Sequence, residues 1–140
     1  MGRSIKVLIV DDNPADIELT RDTLEESRLR LDIETAFNGE EALAILREKK
    51  EAGVSMPDLM LLDLNMPRMN GQELLHEMRA DTALRVIPVV VLTSSDAETD
   101  IVKSYDLGAN CYVTKPVDLS AFQHIVRSVE GFWLTVVKLP

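Results

Sequence analysis

Apolar residues in this chain gather into five short runs, and each run is followed by a longer stretch in which they recur every three or four positions. The first run, Ile5-Lys6-Val7-Leu8-Ile9-Val10, is broken only by Lys6, the pattern of a strand covered on both faces. Asn13-Pro14-Ala15-Asp16 then reads as an N-cap, a proline at the first helical position and an acid at the third. Ile17, Thr20 and Leu24 form the inward stripe of that helix. A second strand is expected near Leu31 to Ala36, and Asn38-Gly39-Glu40-Glu41 opens a helix carrying Ala42, Leu43 and Leu46. A polar linker from Lys49 to Pro57 leads to Leu59-Met60-Leu61-Leu62-Asp63, an apolar strand with a carboxylate at its tip. Asn70-Gly71-Gln72-Glu73 caps a third helix with Leu74, Leu75 and Met78. The fourth strand, Pro88 to Leu92, ends in Thr93-Ser94-Ser95, where Ser95 and Glu98 predict a capping box for a helix carrying Ile101, Val102 and Tyr105. Cys111 to Thr114 forms the last strand, ending at Lys115-Pro116, and Asp118 caps a helix through Phe122, Ile125, Val126 and Val129.

Five strand-then-helix units in strict alternation predict an α/β domain with a parallel sheet and right-handed crossovers. In such a sheet every strand-to-helix loop lies on one rim, the carboxyl edge. That rim receives Asp11, Asp12, Asp63, Asn65, Thr93 and Lys115. A proline at Pro67 stops the Asp63 strand, because proline cannot extend a ladder.

Composition narrows the classes of function. At 140 residues the chain is expected to be one domain, residues 1–140, with no effector domain. No apolar run approaches the roughly 18 residues of a membrane helix, and no signal-peptide core precedes the first strand, so a cytoplasmic location is expected. A net charge of −9 disfavours direct contact with nucleic acid and would suit a divalent cation or a basic patch on a partner. The lone Cys111 reads as a core residue, and His76 and His124 as solvated helix residues.

A single acid after a strand is most often a cap. Here reactive residue types stand at four of five loops on one rim, with a second acid at Asp11-Asp12 that no cap needs. Three converging carboxylates repel one another and require a compensating cation. An oxygen-only, highly charged set at an open edge suits Mg²⁺, which keeps several waters and pairs with phosphoryl oxygens. Lys115 and Thr93 can both donate to a phosphoryl group, so the constellation reads as a site at which Asp63 accepts phosphate.

Asp11-Asp12, Asp63 with Asn65-Met66-Pro67, Thr93-Ser94, and Tyr112 with Lys115-Pro116 resemble the receiver domain of two-component response regulators over the whole chain. Asn13-Pro14-Ala15-Asp16, the segment Tyr105 to Tyr112 and the ending Gly131 to Pro140 are similar to the stand-alone regulators paired with bacterial, cyanobacterial-type phytochromes. The resemblance implies a flavodoxin-like, doubly wound five-stranded sheet in the order 2-1-3-4-5, whose reversal point lies between strands one and three. It implies Asp63 as phosphoacceptor, with Mg²⁺ held directly by Asp12, Asp63 and the Asn65 carbonyl and by Asp11 mostly through water. Lys115 would stabilise the phosphoryl oxygens, Thr93 would move toward them, Tyr112 would change rotamer, and the Lys115-Pro116 bond would be cis. A sensor histidine kinase, a phytochrome in the narrower reading, would supply the phosphoryl group, and output would occur in trans.

Two rivals share parts of this pattern. An aspartyl-phosphate hydrolase of the haloacid dehalogenase type carries a second acid two residues after its nucleophile, where this chain has Asn65. A flavodoxin-like cofactor binder needs a hydroxyl-rich phosphate loop after the first strand and aromatic residues at the rim, which the sequence reading does not supply. Finally, Phe122, Val126, Val129, Trp133 and Val136 continue one stripe into an extended C-terminal helix or tail, about residues 131–140, with Phe132, Val137 and Leu139 beside it. Aromatic residues gathered in this way predict a homodimer through the fourth helix, the fifth helix and the tail.

Overall fold

The structure, a computed structural model, describes residues 4–27, 30–103 and 108–128. Five strands alternate with five helices: β1 (Ile5–Val10), α1 (Pro14–Glu26), β2 (Leu31–Ala36), α2 (Gly39–Ala52), β3 (Leu59–Asp63), α3 (Gly71–Arg79), β4 (Val89–Thr93), α4 (Asp96–Lys103), β5 (Cys111–Thr114) and α5 (Leu119–Ser128). The strands form one sheet in the order β2-β1-β3-β4-β5, every pairing parallel. The flavodoxin-like order expected from the resemblance is the order found.

Because side chains alternate across a strand, the sheet divides its apolar residues between two layers. Ile5, Val7, Ile9, Leu59, Leu61, Val90, Leu92, Cys111 and Val113 pack with Ile17 and Leu24 of α1 and Phe122 and Ile125 of α5. Leu8, Val10, Met60, Leu62, Val89 and Val91 face the other way, onto Leu43 and Leu46 of α2, Leu74 and Met78 of α3, and Val102 of α4. This explains why β3 and β4 read as apolar runs up to their tips, and β1 as one broken only by Lys6. Removing one of the fully buried leucines costs about 2–5 kcal/mol.

The helix starts follow from their caps. Asn13 Oδ1 accepts from the backbone N–H of Ala15 and Asp16, and Asn38 Oδ1 from that of Glu41. Asn70 and Glu73 form a reciprocal capping box, while Asp118 Oδ1 accepts from the Ala121 N–H at 2.8 Å. Three local expectations change. Lys49 to Ala52 is the last turn of α2 rather than linker, closed by Gly53 at φ 70°, a left-handed cap that glycine adopts freely. In α4 the buried residues are Thr99 and Val102, and Ile101 is 58% exposed, since adjacent helical positions point some 100° apart. At Ser95 only half the capping box forms: Ser95 Oγ accepts from the Glu98 N–H at 3.1 Å, whereas the Glu98 carboxylate accepts from Ser94. Tyr105, the side chain of Val126, Val129 and the tail at 131–140 lie outside the described residues.

Candidate functional site at the carboxyl edge of the sheet

β1 and β3 are adjacent, with Val10 opposite Leu62, so the residues that follow, Asp11 and Asp63, leave the sheet at the same level. Oxygens of Asp11, Asp12 and Asp63 come within 4.8 Å of one another. Asp11 is 1% and Asp63 5% exposed, while Asp12 faces solvent. Backbone amides orient the two buried acids: Asn13 N–H donates to Asp11 Oδ1 at 2.9 Å and Asn65 N–H to Asp63 Oδ1 at 3.3 Å. The chain after Asp63 is held tightly by Gly71, where a Cβ would stand 2.8 Å from the Asp63 carbonyl and 2.9 Å from the Leu64 Cα. Gly71 N–H donates to the Leu64 carbonyl at 3.0 Å.

Lys115, just beyond β5, crosses to this cluster. Its Nζ lies 3.0 Å from Asp11 Oδ2, 2.9 Å from Asp16 Oδ2 and 3.5 Å from Asp63 Oδ2. Its peptide bond to Pro116 is cis, as the resemblance implied. Burial alone would lower the Lys115 pKa, but hydrogen bonds to Asp16 and Asp11 and the charges of Asp11 and Asp63 hold it above its ordinary value. Burial pushes Asp63 up to about 6; Lys115 opposes this, and the Asp11 and Asp12 charges add to it. One ammonium among four carboxylates leaves the site short of positive charge. The donor set is all oxygen, partly open through Asp12, and clustered tightly enough for one hard divalent cation, so the residues present fit such an ion.

Thr93, at the tip of β4, is fully buried. Its hydroxyl is hydrogen-bonded to that of Thr99, with longer approaches to the Ser95 and Val113 carbonyls. The Thr99 hydroxyl in turn meets that of Thr114 at 3.2 Å, and Thr114 donates to Asp96 Oδ1 at 2.9 Å. Tyr112 stands opposite Val91, half-buried against the layer that includes Val102. The Asn65 side chain turns toward α4, where its Nδ2 donates to Glu98 Oε2 at 3.0 Å.

Asp11, Asp12, Asp63, Asn65, Thr93 and Lys115 therefore share one rim, with Tyr112 on the neighbouring strand. Sequence reasoning treated Asp16 and Glu98 only as capping acids and passed over Thr99 and Thr114. A signal for Asp16 was present: an acid in the first turn of α1 projects back toward the strand tips, where a lone lysine needs counter-charges. His76 and His124 are exposed, and Cys111 lies in the core. An aromatic side chain does stand at the rim, contrary to the sequence reading, for Phe37 follows β2 and is 45% exposed. The adjacent loop after β1 presents Asp11 and Asp12, which would repel a flavin phosphate. A groove of about 500 Å³ at the opposite edge, lined by residues including Arg79, Arg85 and Val89, contains none of these acids. No helix among the described residues is long and apolar enough to cross a membrane.

Residues 7–127 match the model of the response regulator receiver domain. The chain is 40% identical over 135 residues to the response regulator Rcp1 of Synechocystis sp., covering 96% of this chain and 92% of that one. Among solved structures, the bacteriophytochrome response regulator AtBRR superimposes with a TM-score of 0.85 at 37% identity, over 97% of this chain and 99% of the other. The phosphorylated cyanobacterial phytochrome response regulator RcpA gives 0.74 at 45% identity over 99% of both chains. The Mn(2+)-bound form of Rcp1 gives 0.71 at 38% identity, over 97% of this chain and 99% of that one.

Proposed function

The chain belongs to the response regulator receiver family, and from that premise we propose that Asp63 accepts a phosphoryl group from a sensor histidine kinase of the phytochrome class. The observation that carries this reading is the convergence of Asp11, Asp12 and Asp63 within 4.8 Å with the Lys115 ammonium 3.5 Å from Asp63. A hydrolase of the dehalogenase type is disfavoured because Asn65, two residues beyond Asp63, cannot act as the general acid or base.

In the proposed reaction an Asp63 oxygen attacks the phosphorus of a phosphohistidine. A new O–P bond forms, the P–N bond breaks, and its electron pair returns to the imidazole, which takes up a proton. Asp63 is ready for attack only as the carboxylate, and Lys115 favours that form. The same ammonium neutralises charge that develops on the transferring oxygens. Asp12, Asp63 and the Asn65 carbonyl would hold Mg²⁺, with Asp11 acting through water; when bound, the ion supplies electrostatic neutralisation of the phosphoryl oxygens. Asp11 otherwise anchors Lys115 and keeps it extended across the site. Water reaching phosphorylated Asp63 over the exposed Asp12 side would let the same groups assist dephosphorylation.

The added phosphate brings further negative charge and new acceptor oxygens. Thr93 is the proposed sensor, exchanging its bond to Thr99 for one to the phosphoryl group, and Tyr112 then repacks against α4. The consequence is a changed α4, β5 and α5 surface read by a separate target in the cytoplasm. Ile101 on α4 and Leu119 at the start of α5 are exposed there, which, with the aromatic tail, supports a homodimer across this face.

The test is labelling by acetyl phosphate in Mg²⁺. The parent chain should be labelled and Asp63→Asn should not; labelling of the variant at the parent's level would remove Asp63 from the role.

A further inference from the structure

The Glu98 carboxylate makes more hydrogen bonds than capping α4 requires. Oε1 accepts from the Ser94 backbone N–H at 3.1 Å. Oε2 accepts from Ser94 Oγ at 3.2 Å and from Asn65 Nδ2 at 3.0 Å. A reciprocal cap would instead return the carboxylate to the Ser95 N–H. The bond to Asn65 spans 33 positions and joins the loop after β3 to the loop after β4. It therefore stretches over the carboxyl rim beside Asp63, whose own Oδ1 is held by the Asn65 backbone N–H. Burial alone would raise the Glu98 pKa, but the bonds from Ser94 and Asn65, and then the Lys115 charge, hold it below the ordinary carboxylate value.

These partners are what an incoming oxyanion would use: a backbone N–H, a hydroxyl, a primary amide and a nearby ammonium. We propose that Glu98 is an internal anion that occupies the phosphoryl-binding donors of the unphosphorylated receiver, and that phosphorylation proceeds by displacing it. Glu98 is thus a positioning residue that sets how readily Asp63 is phosphorylated, acting through Asn65 and Ser94 without touching the reacting atoms. In the resting protein its negative charge adds to those of Asp11, Asp12 and Asp63 and repels an anionic phosphodonor. Once displaced, it frees Asn65 and Ser94 and unties the start of α4 from the loop after β3, so that occupation of the site and release of α4 become one event.

This inference rests on Asp63 being the phosphoacceptor, and the experiment separates the two claims. Glu98→Gln keeps an oxygen that can accept from the Ser94 N–H but removes the charge; Glu98→Asp keeps the charge on a side chain one methylene shorter, unable to span Ser94 and Asn65 together. Initial rates of labelling by acetyl phosphate in saturating Mg²⁺, and the half-saturation concentration for beryllium fluoride, are compared with those of the parent. The expected result is labelling about 3- to 10-fold faster and beryllium fluoride binding tighter by a similar factor in Glu98→Gln, the scale of one partly screened charge. A smaller gain is expected in Glu98→Asp, which also serves as the comparison if the glutamine variant does not fold. A purely structural cap predicts the parent to be fastest. If the parent is labelled and neither variant exceeds it, the anion role of Glu98 is overturned while Asp63 keeps its own; if the parent is not labelled at all, both fall.

Discussion

Replacing Asp63 by asparagine should make the metal-free protein more stable at neutral pH, even though it removes the proposed phosphoacceptor. Asp63 is buried beside Asp11 and near Asp12, and its pKa rises from 3.8 to about 6 in the folded protein. Below the lower value the carboxyl is neutral in both folded and unfolded chains and contributes nothing. Between the two values the folded state binds more protons than the unfolded one, so stability falls as pH rises, and above the upper value the full penalty remains. A difference of about 2 units at 1.36 kcal/mol each gives about 3 kcal/mol. Asparagine has the shape of the protonated acid, can accept from the Asn65 N–H, and carries no charge. Thermal unfolding in a chelator should therefore place Asp63→Asn about 6–10 °C above the parent at pH 7.5, taking roughly 3 °C per kcal/mol for a chain of this size. The gap should close by about pH 4. Divalent cation at 100 times its dissociation constant should restore about 2.7 kcal/mol to the parent. A variant no more stable than the parent at pH 7.5, or a gap independent of pH, would mean that charge repulsion does not govern this site.

Asp12→Ala should weaken Mg²⁺ binding more than Asp11→Ala in a metal titration, because Asp11 is engaged with Lys115 and the Asn13 N–H; equal losses would contradict the ranking. Thr93→Ala should leave labelling largely intact while reducing the dependence of partner binding on phosphate, a coupling of about 1–3 kcal/mol; an unchanged response would place the sensor elsewhere. Val102→Ala should cost about 1–3 kcal/mol in denaturant unfolding, whereas Ile101→Ala should change stability by less than about 0.5 kcal/mol; comparable losses would reverse the assignment of the inward face of α4. Light scattering should report a dimer for the intact chain and a monomer after truncation at Glu130 or in Trp133→Ala, and a monomeric parent at tens of micromolar would refute the proposed dimer.

The strands were legible because both faces of the sheet are covered, which turns β3 and β4 into apolar runs and leaves Lys6 as the one polar residue of β1. The helix starts were legible because Asn13, Asn38, Asn70 and Asp118 each stand where a side-chain oxygen meets free backbone amides. The end of α2 was missed since Lys49, Lys50 and Glu51 are all polar and read equally as linker or as a solvated last turn. The inward face of α4 is set by Thr99 with Val102, and a reading that weighs only apolar residues passes over a buried threonine whose hydroxyl is satisfied by Thr93 and Ser95. At the site, strand-tip acids followed from topology alone. The partners of Lys115 and Glu98 did not, because Asp16 is 99 positions from Lys115 and Asn65 is 33 from Glu98, and local patterns carry no information at that range.

The sheet separates the core into two layers that share a backbone but few side-chain neighbours. Substitutions in well-separated places usually add in free energy, so changes beneath α1 and α5 should combine almost independently with changes beneath α2, α3 and α4. For a lineage accumulating mutations, one layer can maintain overall stability while the other drifts. α4 is the part best placed to vary, since only Thr99 and Val102 of its eight residues are buried. A receiver built this way can acquire a new reader of its α4 surface while the layer under α1 and α5 stays as it was.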